Sequence, residues 1–343
     1  MLKAEFFPYT LHFSFTAITS RAQMHTKDTY FIKVYDTDSP NKIGVGEVAL
    51  FKGLSIDDTP DFEPLLQQCC KEINETDISE INSSAIRFGF ETAFSDLNSG
   101  GFLRPFTQTD EWAIPINGLV WMGDKSIMLS RVSQKLDEGY RCLKLKIGGI
   151  NFEDEIDILK TIRTKFSDDV LEIRLDANGG FSPDNAMQRI NQLSRFNIHS
   201  LEQPVKPGQI SAIADICKKS PIPIALDEEL IGITPDIQKA HMLSEVKPHY
   251  IILKPSLCGG FAEADKWITC AEHHNIGWWA TSALESNIGL NAIARWLLSK
   301  SFTMPQGLGT GQLYTNNIPS NLYIKDCHLA NDPLKTWNLS QIF

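Results

Sequence analysis

From Tyr9 to Phe15, apolar Tyr9, Leu11, Phe13 and Phe15 alternate with Thr10, His12 and Ser14, the period of a strand with one buried face. Tyr30 to Tyr35 reads as a second strand. Asp36-Thr-Asp-Ser-Pro-Asn41 supplies turn residues, and the chain returns as a hairpin from Ile43 to Leu50. Two helical stripes follow, one through Phe62, Leu65, Leu66 and Cys69, the other from Ile81 through Ala85, Ile86, Phe88 and Ala93 to Leu97. Strands followed by helices predict an α+β unit, and Asn98-Ser-Gly-Gly101 marks its end.

After about residue 112 short apolar runs alternate with amphipathic stretches, the signature of parallel βα units. Strands are predicted at Leu143 to Ile147, Leu171 to Leu175, His199 to Leu201, Ile222 to Leu226, Tyr250 to Leu253 and Ile276 to Ala280. Between them lie helical stripes such as Met128, Leu129, Val132, Leu136, then Ile156, Leu159, Ile162, and Ala186, Met187, Ile190, Leu193. Ala113 to Ile116 and Met304 to Leu308 bring the expectation to about eight strands. Polar residues follow nearly every strand, which favours a closed TIM-like (β/α) barrel over an open sheet with one switch point. The division expected is an α+β capping domain over residues 1–110, a barrel over 111–325, and a C-terminal segment over 326–343 that packs on the cap.

Six polar residues stand at the ends of these apolar runs: Lys144 and Lys146, Asp176, Glu202, Asp227 and Lys254. From Lys146 onward they recur at intervals of 30, 26, 25 and 27 residues, the length of a strand, a crossover helix and two loops. A lone Asp after a strand is ordinarily a turn former, and a lone Lys is ordinarily solvated. The phased set differs, because three carboxylates converging between lysines are costly to bury without a cation to hold. Three hard oxygen ligands without His or Cys suit Mg²⁺ or Mn²⁺ and disfavour Zn²⁺. Such an ion would stabilise the second charge created when a proton leaves the carbon beside a substrate carboxylate. A lysine beside a metal and a second lysine is expected to have its pKa lowered toward that of a base.

Composition narrows the function classes. The chain has 343 residues, 42% hydrophobic and 22% charged, with a formal charge of −10. Without a basic patch, this acidity argues against nucleic acid or an anionic membrane as partner. Seven cysteines without a Cys-x-x-Cys pair read as reduced thiols, and no apolar run reaches the length of a membrane span, so a cytoplasmic protein is expected. Gly44-Val-Gly46-Glu-Val-Ala49 mimics a dinucleotide fingerprint but lies in a hairpin strand, and His273 and His274 at a helix end read as solvated or capping. Gly307-Leu-Gly-Thr-Gly311 after the last barrel strand offers backbone N–H groups to an anion, or is a tight turn.

Taken in order, Lys144-Leu-Lys146, Leu-Asp176-Ala-Asn178, Glu202-Gln-Pro, Leu-Asp227-Glu228 and Leu-Lys254-Pro resemble the enolase superfamily and its muconate-lactonizing subgroup. The resemblance implies a modified (β/α)7β barrel. Within the subgroup, the stretches from Ser282 to Ala294 and from Gln306 to Leu313 resemble the o-succinylbenzoate synthases. That implies syn dehydration of a succinyl-hydroxycyclohexadiene carboxylate, a small-molecule carboxylate substrate, in menaquinone biosynthesis. By the same resemblance Lys146 removes the α-proton, Lys254 stabilises the enediolate from the opposite face, and Lys144 holds the carboxylate and lowers the pKa of Lys146. Asp176, Glu202 and Asp227 would bind Mg²⁺, with Asn178 and Glu228 behind them. Ser282, Gly307, Gly309 and Thr310 would contact the succinyl group, and the loop of Ser20 and Arg21 would close the pocket. The same site serves N-acylamino-acid racemases and dipeptide epimerases, but the acidic pair expected of the epimerases after the last strand is replaced here by glycines. Two readings from other classes are a Schiff-base aldolase, which would not need three carboxylates, and a non-catalytic binding barrel.

Overall fold

The structure is a computed structural model that describes residues 1–18, 23–101 and 111–343. Its first three strands, β1 (Leu2–Ile18), β2 (Gln23–Asp36) and β3 (Ser39–Val48), form an antiparallel sheet in that order. Helices α1 (Phe62–Lys71) and α2 (Ser84–Ser99) pack on it. Ser83 starts α2, its hydroxyl accepting from the N–H of Ile86 at 3.3 Å. The glycine pair of the false fingerprint has a packing role. A Cβ on Gly44 would stand 2.1 Å from the Ala93 carbonyl, and one on Gly46 2.0 Å from that of Gly89, so glycine lets β3 and α2 touch backbone to backbone.

A short strand β4 (Ala113–Pro115) leads into the barrel, which begins with β5 (Gly118–Val120). Then come α3 (Lys125–Asp137), β6 (Cys142–Lys146), α4 (Phe152–Lys165), β7 (Glu172–Asp176), α5 (Pro183–Leu193) and β8 (Ser200–Glu202). The series continues through α6 (Ile210–Lys219), β9 (Ile224–Leu226), α7 (Asp236–Val246), β10 (Tyr250–Leu253), α8 (Gly260–His273), β11 (Gly277–Ala280) and α9 (Asn287–Leu297). Strands β5 to β11 form one parallel sheet in sequential order. A hairpin of β12 (Leu322–Lys325) and β13 (His328–Asn331) ends the regular structure.

The two ends of the eight-strand expectation resolve differently. Ala113–Pro115 pairs antiparallel with β13 instead of joining the barrel, and Pro115, lacking an N–H, suits this short outer sheet. Met304 to Leu308 forms no strand. Instead Gln306 bridges to Ile116 and Gly307 to Thr281, so two residues close the gap between β11 and the segment entering β5. The N–H groups of Asn117 and Ser282 donate to the carbonyls of Gln306 and Gly307 at 3.0 and 3.1 Å.

The barrel separates two apolar layers by the period of two. Leu143, Leu145, Ile173, Leu175, Leu201, Ile224, Leu226, Ile251 and Leu253 face the helices in the main core, while Ala225, Ile252 and Trp279 form a small cluster of their own with Tyr250 and Met304. Inside that second phase Arg174 is buried, its Nε donating to Glu172 at 2.7 Å and its guanidinium 4.6 Å from the Trp279 ring centre. The cap seals one end through Leu11, Phe13, Trp121, Leu284 and Tyr314. Near the C-terminus, Trp337 and Leu339 pack with Phe31, Val45 and Ile288. Among the described residues no helix is long and apolar enough to cross a membrane.

Candidate active site

Register brings the phased residues together. Lys146 pairs with Asp176, and Asp176 with Glu202, along one rung of β6, β7 and β8. Glu202 stands opposite Ala225, so Asp227 lies two residues further along, the stagger that a tilted barrel imposes. Lys144 precedes Lys146 by two and shares its face. In the sheet Lys146 on β6 and Lys254 after β10 are separated by the three strands that carry the carboxylates.

The contacts are dense. Lys144 Nζ lies 3.0 Å from Asp176 and 2.5 Å from Glu202, and Lys146 Nζ 2.6 Å from Asp176. Lys146 also donates to Asn178 Oδ1 at 2.7 Å, and Asn178 Nδ2 donates to Glu228 at 2.9 Å. Lys254 pairs with Asp227. Asp176 is fully buried and Glu202 and Asp227 nearly so. Asn178 reaches Lys146 through a left-handed backbone, φ 44°, with its own N–H turned back onto Asp176 Oδ1.

Electrostatics follow from this burial. Desolvation raises the Asp176 carboxyl, but Lys144 and Lys146 outweigh it and hold the group well below the usual range. Burial and the charge of Asp176 push Glu202 well above it. Lys144 and Lys254 are held in their charged forms. Burial pulls both down, yet Asp176 and Glu202 around Lys144, and Asp227 and Glu228 around Lys254, hold the ammonium groups above the ordinary lysine range.

No group of three or more His, Cys, Asp or Glu side chains is gathered to hold a metal among the described residues. The Lys144 ammonium stands between Asp176 and Glu202 instead. The donor set nevertheless fits an oxygen-bound divalent ion. Three buried carboxylates come from successive strands, and among the described residues Glu202 Oε1 has no hydrogen-bond partner. The raised Glu202 carboxyl marks a site short of positive charge.

A sequence profile of the enolase C-terminal domain-like family matches residues 128–330. The chain belongs to the enolase superfamily. It is 46% identical over 353 aligned residues to an o-succinylbenzoate synthase of Desulfotalea psychrophila, spanning 92% of this chain and 95% of that protein. A crystal structure of MenC from Desulfotalea psychrophila LSv54 superposes with a TM-score of 0.82 at 40% identity, covering 96% of this chain and 99% of that one. More distant is the L-Ala-D/L-Glu epimerase of Francisella tularensis subsp. novicida, 29% identical over 60% of this chain and 58% of its own length. These matches agree with the superfamily resemblance and with a capped barrel.

Above the ring lies a cavity of about 440 Å³ that touches Lys144, Lys146, Asn178, Glu228 and Lys254. Ser282, Gly307, Gly309 and Thr310 line it as well, but their hydrogen-bonding capacity differs. Ser282 donates its N–H to Gly307 and its hydroxyl to Glu285, so its donors are committed; Gly307 donates to the Ala280 carbonyl. The Thr310 hydroxyl is buried without a partner among the described residues. Arg21 and Ser20 lie outside the described residues. Several lining residues carry no motif: Lys27, Leu50 and Phe51 from the cap, and Asn117, Leu119 and Trp121 from the first barrel segment. Of these, Lys27 is singled out by no motif or spacing, only by being a lysine on a strand of the cap. It is the one charged residue among these six, and it stands in phase with Thr29 and Phe31, both buried.

Proposed function

We propose that the chain is an o-succinylbenzoate synthase, a hydro-lyase that removes water from a succinyl-hydroxycyclohexadiene carboxylate to leave the aromatic product. The observation that carries the reading is a pair of lysines flanking three buried carboxylates under one cavity, in a chain 46% identical across most of its length to a relative of that name. Residues 1–110 are assigned as cap, 111–325 as barrel and 326–343 as a C-terminal segment.

In this reading Asp176, Glu202 and Asp227 hold a divalent ion, Mg²⁺ with Mn²⁺ as the alternative. Such an ion supplies charge stabilisation to the carboxylate next to the reacting carbon. Lys146, as the free amine, takes the proton from that carbon. Lys254 stays protonated on the other side of the ring and offsets the second negative charge. The C–O bond then breaks, and the Lys146 ammonium gives its proton to the departing hydroxyl on the same face, so one water leaves and the lysine returns to its starting form. Lys144 neutralises Asp176 and Glu202 and orients the substrate carboxylate, while Asn178 and Glu228 fix the position of Lys146 through their shared hydrogen bond. Menaquinone biosynthesis in the cytoplasm is the setting this chemistry implies.

Racemases and epimerases of the subgroup share the proton abstraction. They are disfavoured here because Gly307 to Gly311 presents no carboxylate to a substrate ammonium. The test is formation of the aromatic product from the cyclohexadiene by purified protein with Mg²⁺, alongside solvent deuterium exchange into N-acylamino acids and dipeptides. Exchange that rivals dehydration, or absence of the aromatic product, would overturn the assignment.

A further inference from the structure

The reacting carboxylate is served by the barrel floor, and the roof of the same cavity holds a cation without a role. Lys27 sits on β2 opposite Leu11, 7% exposed, and lines the cavity. Its Nζ is buried and, among the described residues, has no hydrogen-bond partner. An ammonium withdrawn from water with its donors unspent costs several kcal/mol unless nearby charge compensates it.

That compensation is present but leaves the donors open. Glu47 and Glu285 both act on Lys27 through their charge. Glu47 accepts from Thr29 Oγ1 at 3.0 Å, from Ser286 N at 3.0 Å and Oγ at 2.6 Å, and from Gly289 N at 2.9 Å, at the start of α9. Glu285 accepts from Ser256 Oγ at 2.5 Å and from Ser282 Oγ. Their lone pairs are thus largely taken by hydroxyls and backbone amides. The neighbouring Asp28 also lines the cavity, but its charge is matched by Lys52, whose Nζ lies 2.6 Å away. Two other donors on the cavity wall, Trp121 Nε1 and Thr310 Oγ1, are also buried without partners among the described residues. Three unspent donors, one of them cationic, in a cavity where Lys144, Lys146 and Lys254 belong to the reacting end and Lys52 is neutralised by Asp28, form a receptor for a second anionic group.

We infer that Lys27 is the specificity-determining residue that receives the distal carboxylate of the substrate, selecting dicarboxylates over monocarboxylates of the same shape. This rests on the proposed reading for the identity of the near end and adds the class of the far end. An ammonium held by charge alone can turn its protons to an arriving carboxylate without breaking a hydrogen bond, which is the preorganisation that favours a tight and selective contact.

The test compares binding of two ligands to the Mg²⁺-loaded protein by titration calorimetry: o-succinylbenzoate, and 2-butyrylbenzoate, in which a methyl group replaces the distal carboxylate. The wild type should prefer the dicarboxylate at least tenfold. Lys27→Met should lose that preference while binding 2-butyrylbenzoate as before, and Lys27→Arg should keep most of it. In turnover the Met variant should raise KM far more than it lowers kcat. Equal weakening of both ligands in Lys27→Met, or an unchanged preference, would overturn the inference and leave Lys27 a strut between cap and barrel. If Lys27→Met fails to fold, loss of preference in Lys27→Arg, with 2-butyrylbenzoate binding intact, overturns it equally. A Lys27-dependent preference in protein that makes no aromatic product would keep this inference and sink the dehydratase reading; turnover without any preference would do the reverse.

Discussion

Two buried charge clusters in this molecule look alike in composition and differ in what their hydrogen bonds leave over. In the first turns of the outer helices, beside the cap, Lys239, wholly buried on α7, donates to the Thr234 carbonyl, to Asp236 at 3.2 Å and to Glu263 at 2.5 Å. Glu263 takes further charge from Lys266 at 2.8 Å and Arg87 at 3.6 Å. All three protons of Lys239 are spent, and the cluster ties α7 to α8 and α8 to α2. At the mouth of the barrel the lysines and carboxylates are as deeply placed. Yet Glu202 Oε1 is unsatisfied, the Glu202 carboxyl is pushed up by burial and by Asp176, and a cavity opens above. Burial of charge therefore does not by itself mark function. Unspent capacity facing a cavity does.

The contrast can be broken most sharply by removing the ion. Chelation should abolish dehydration, and added Mg²⁺ should restore it, while thermal unfolding of the Lys239 cluster region responds little. Activity indifferent to chelator would equate the two clusters. Next, Lys146→Ala should lower kcat by roughly 10²–10⁴-fold with a melting temperature near that of the wild type, since Asp176 keeps Lys144 as partner. Lys239→Met should give the inverse result. Glu263 and Asp236 would lose their central cation, at a cost of about 3–5 kcal/mol in denaturant unfolding, with kcat of the folded fraction retained.

The smallest effect concerns pH at the seam between cap and barrel. Glu91 on α2 accepts from the N–H groups of Phe261 and Ala262 at the start of α8, and burial pushes its carboxyl up to about 7. The unfolded chain releases this proton near the ordinary 4.5 and the folded one near 7, so stability should fall as pH rises between those values. The loss amounts to about 3 kcal/mol at most. Urea unfolding from pH 4.5 to 8 measures it together with that of Glu155, which burial also pushes up to about 7, and Glu91→Gln should reduce that slope without changing kcat. A slope unaltered in the variant would place the titration elsewhere.

The barrel was legible because its strands are nearly continuous apolar runs and its ring recurs at the length of a βα unit. The eighth place was not. Met304 to Leu308, interrupted by Pro305 and Gly307, contributes two bridges instead of a strand, and Ala113 to Pro115 pairs outward with β13, choices made by partners far away in sequence. Of the site, the six ring residues were readable from spacing. The committed donors of Ser282, the lysine wedged between Asp176 and Glu202, and the roof made by Lys27 and Trp121 were not. Each depends on which atoms meet after the cap has docked.

Periodicity in the chain determined which residues point into the barrel, since alternation along a strand and recurrence along the chain are local properties. Tertiary structure alone decided which of those inward groups are satisfied and which remain open to a ligand. Hydrogen bonds between distant segments are settled only when register, cap docking and the closing bridges at Gln306 and Gly307 are all in place. The chemistry was written locally, and its selectivity emerges from contact.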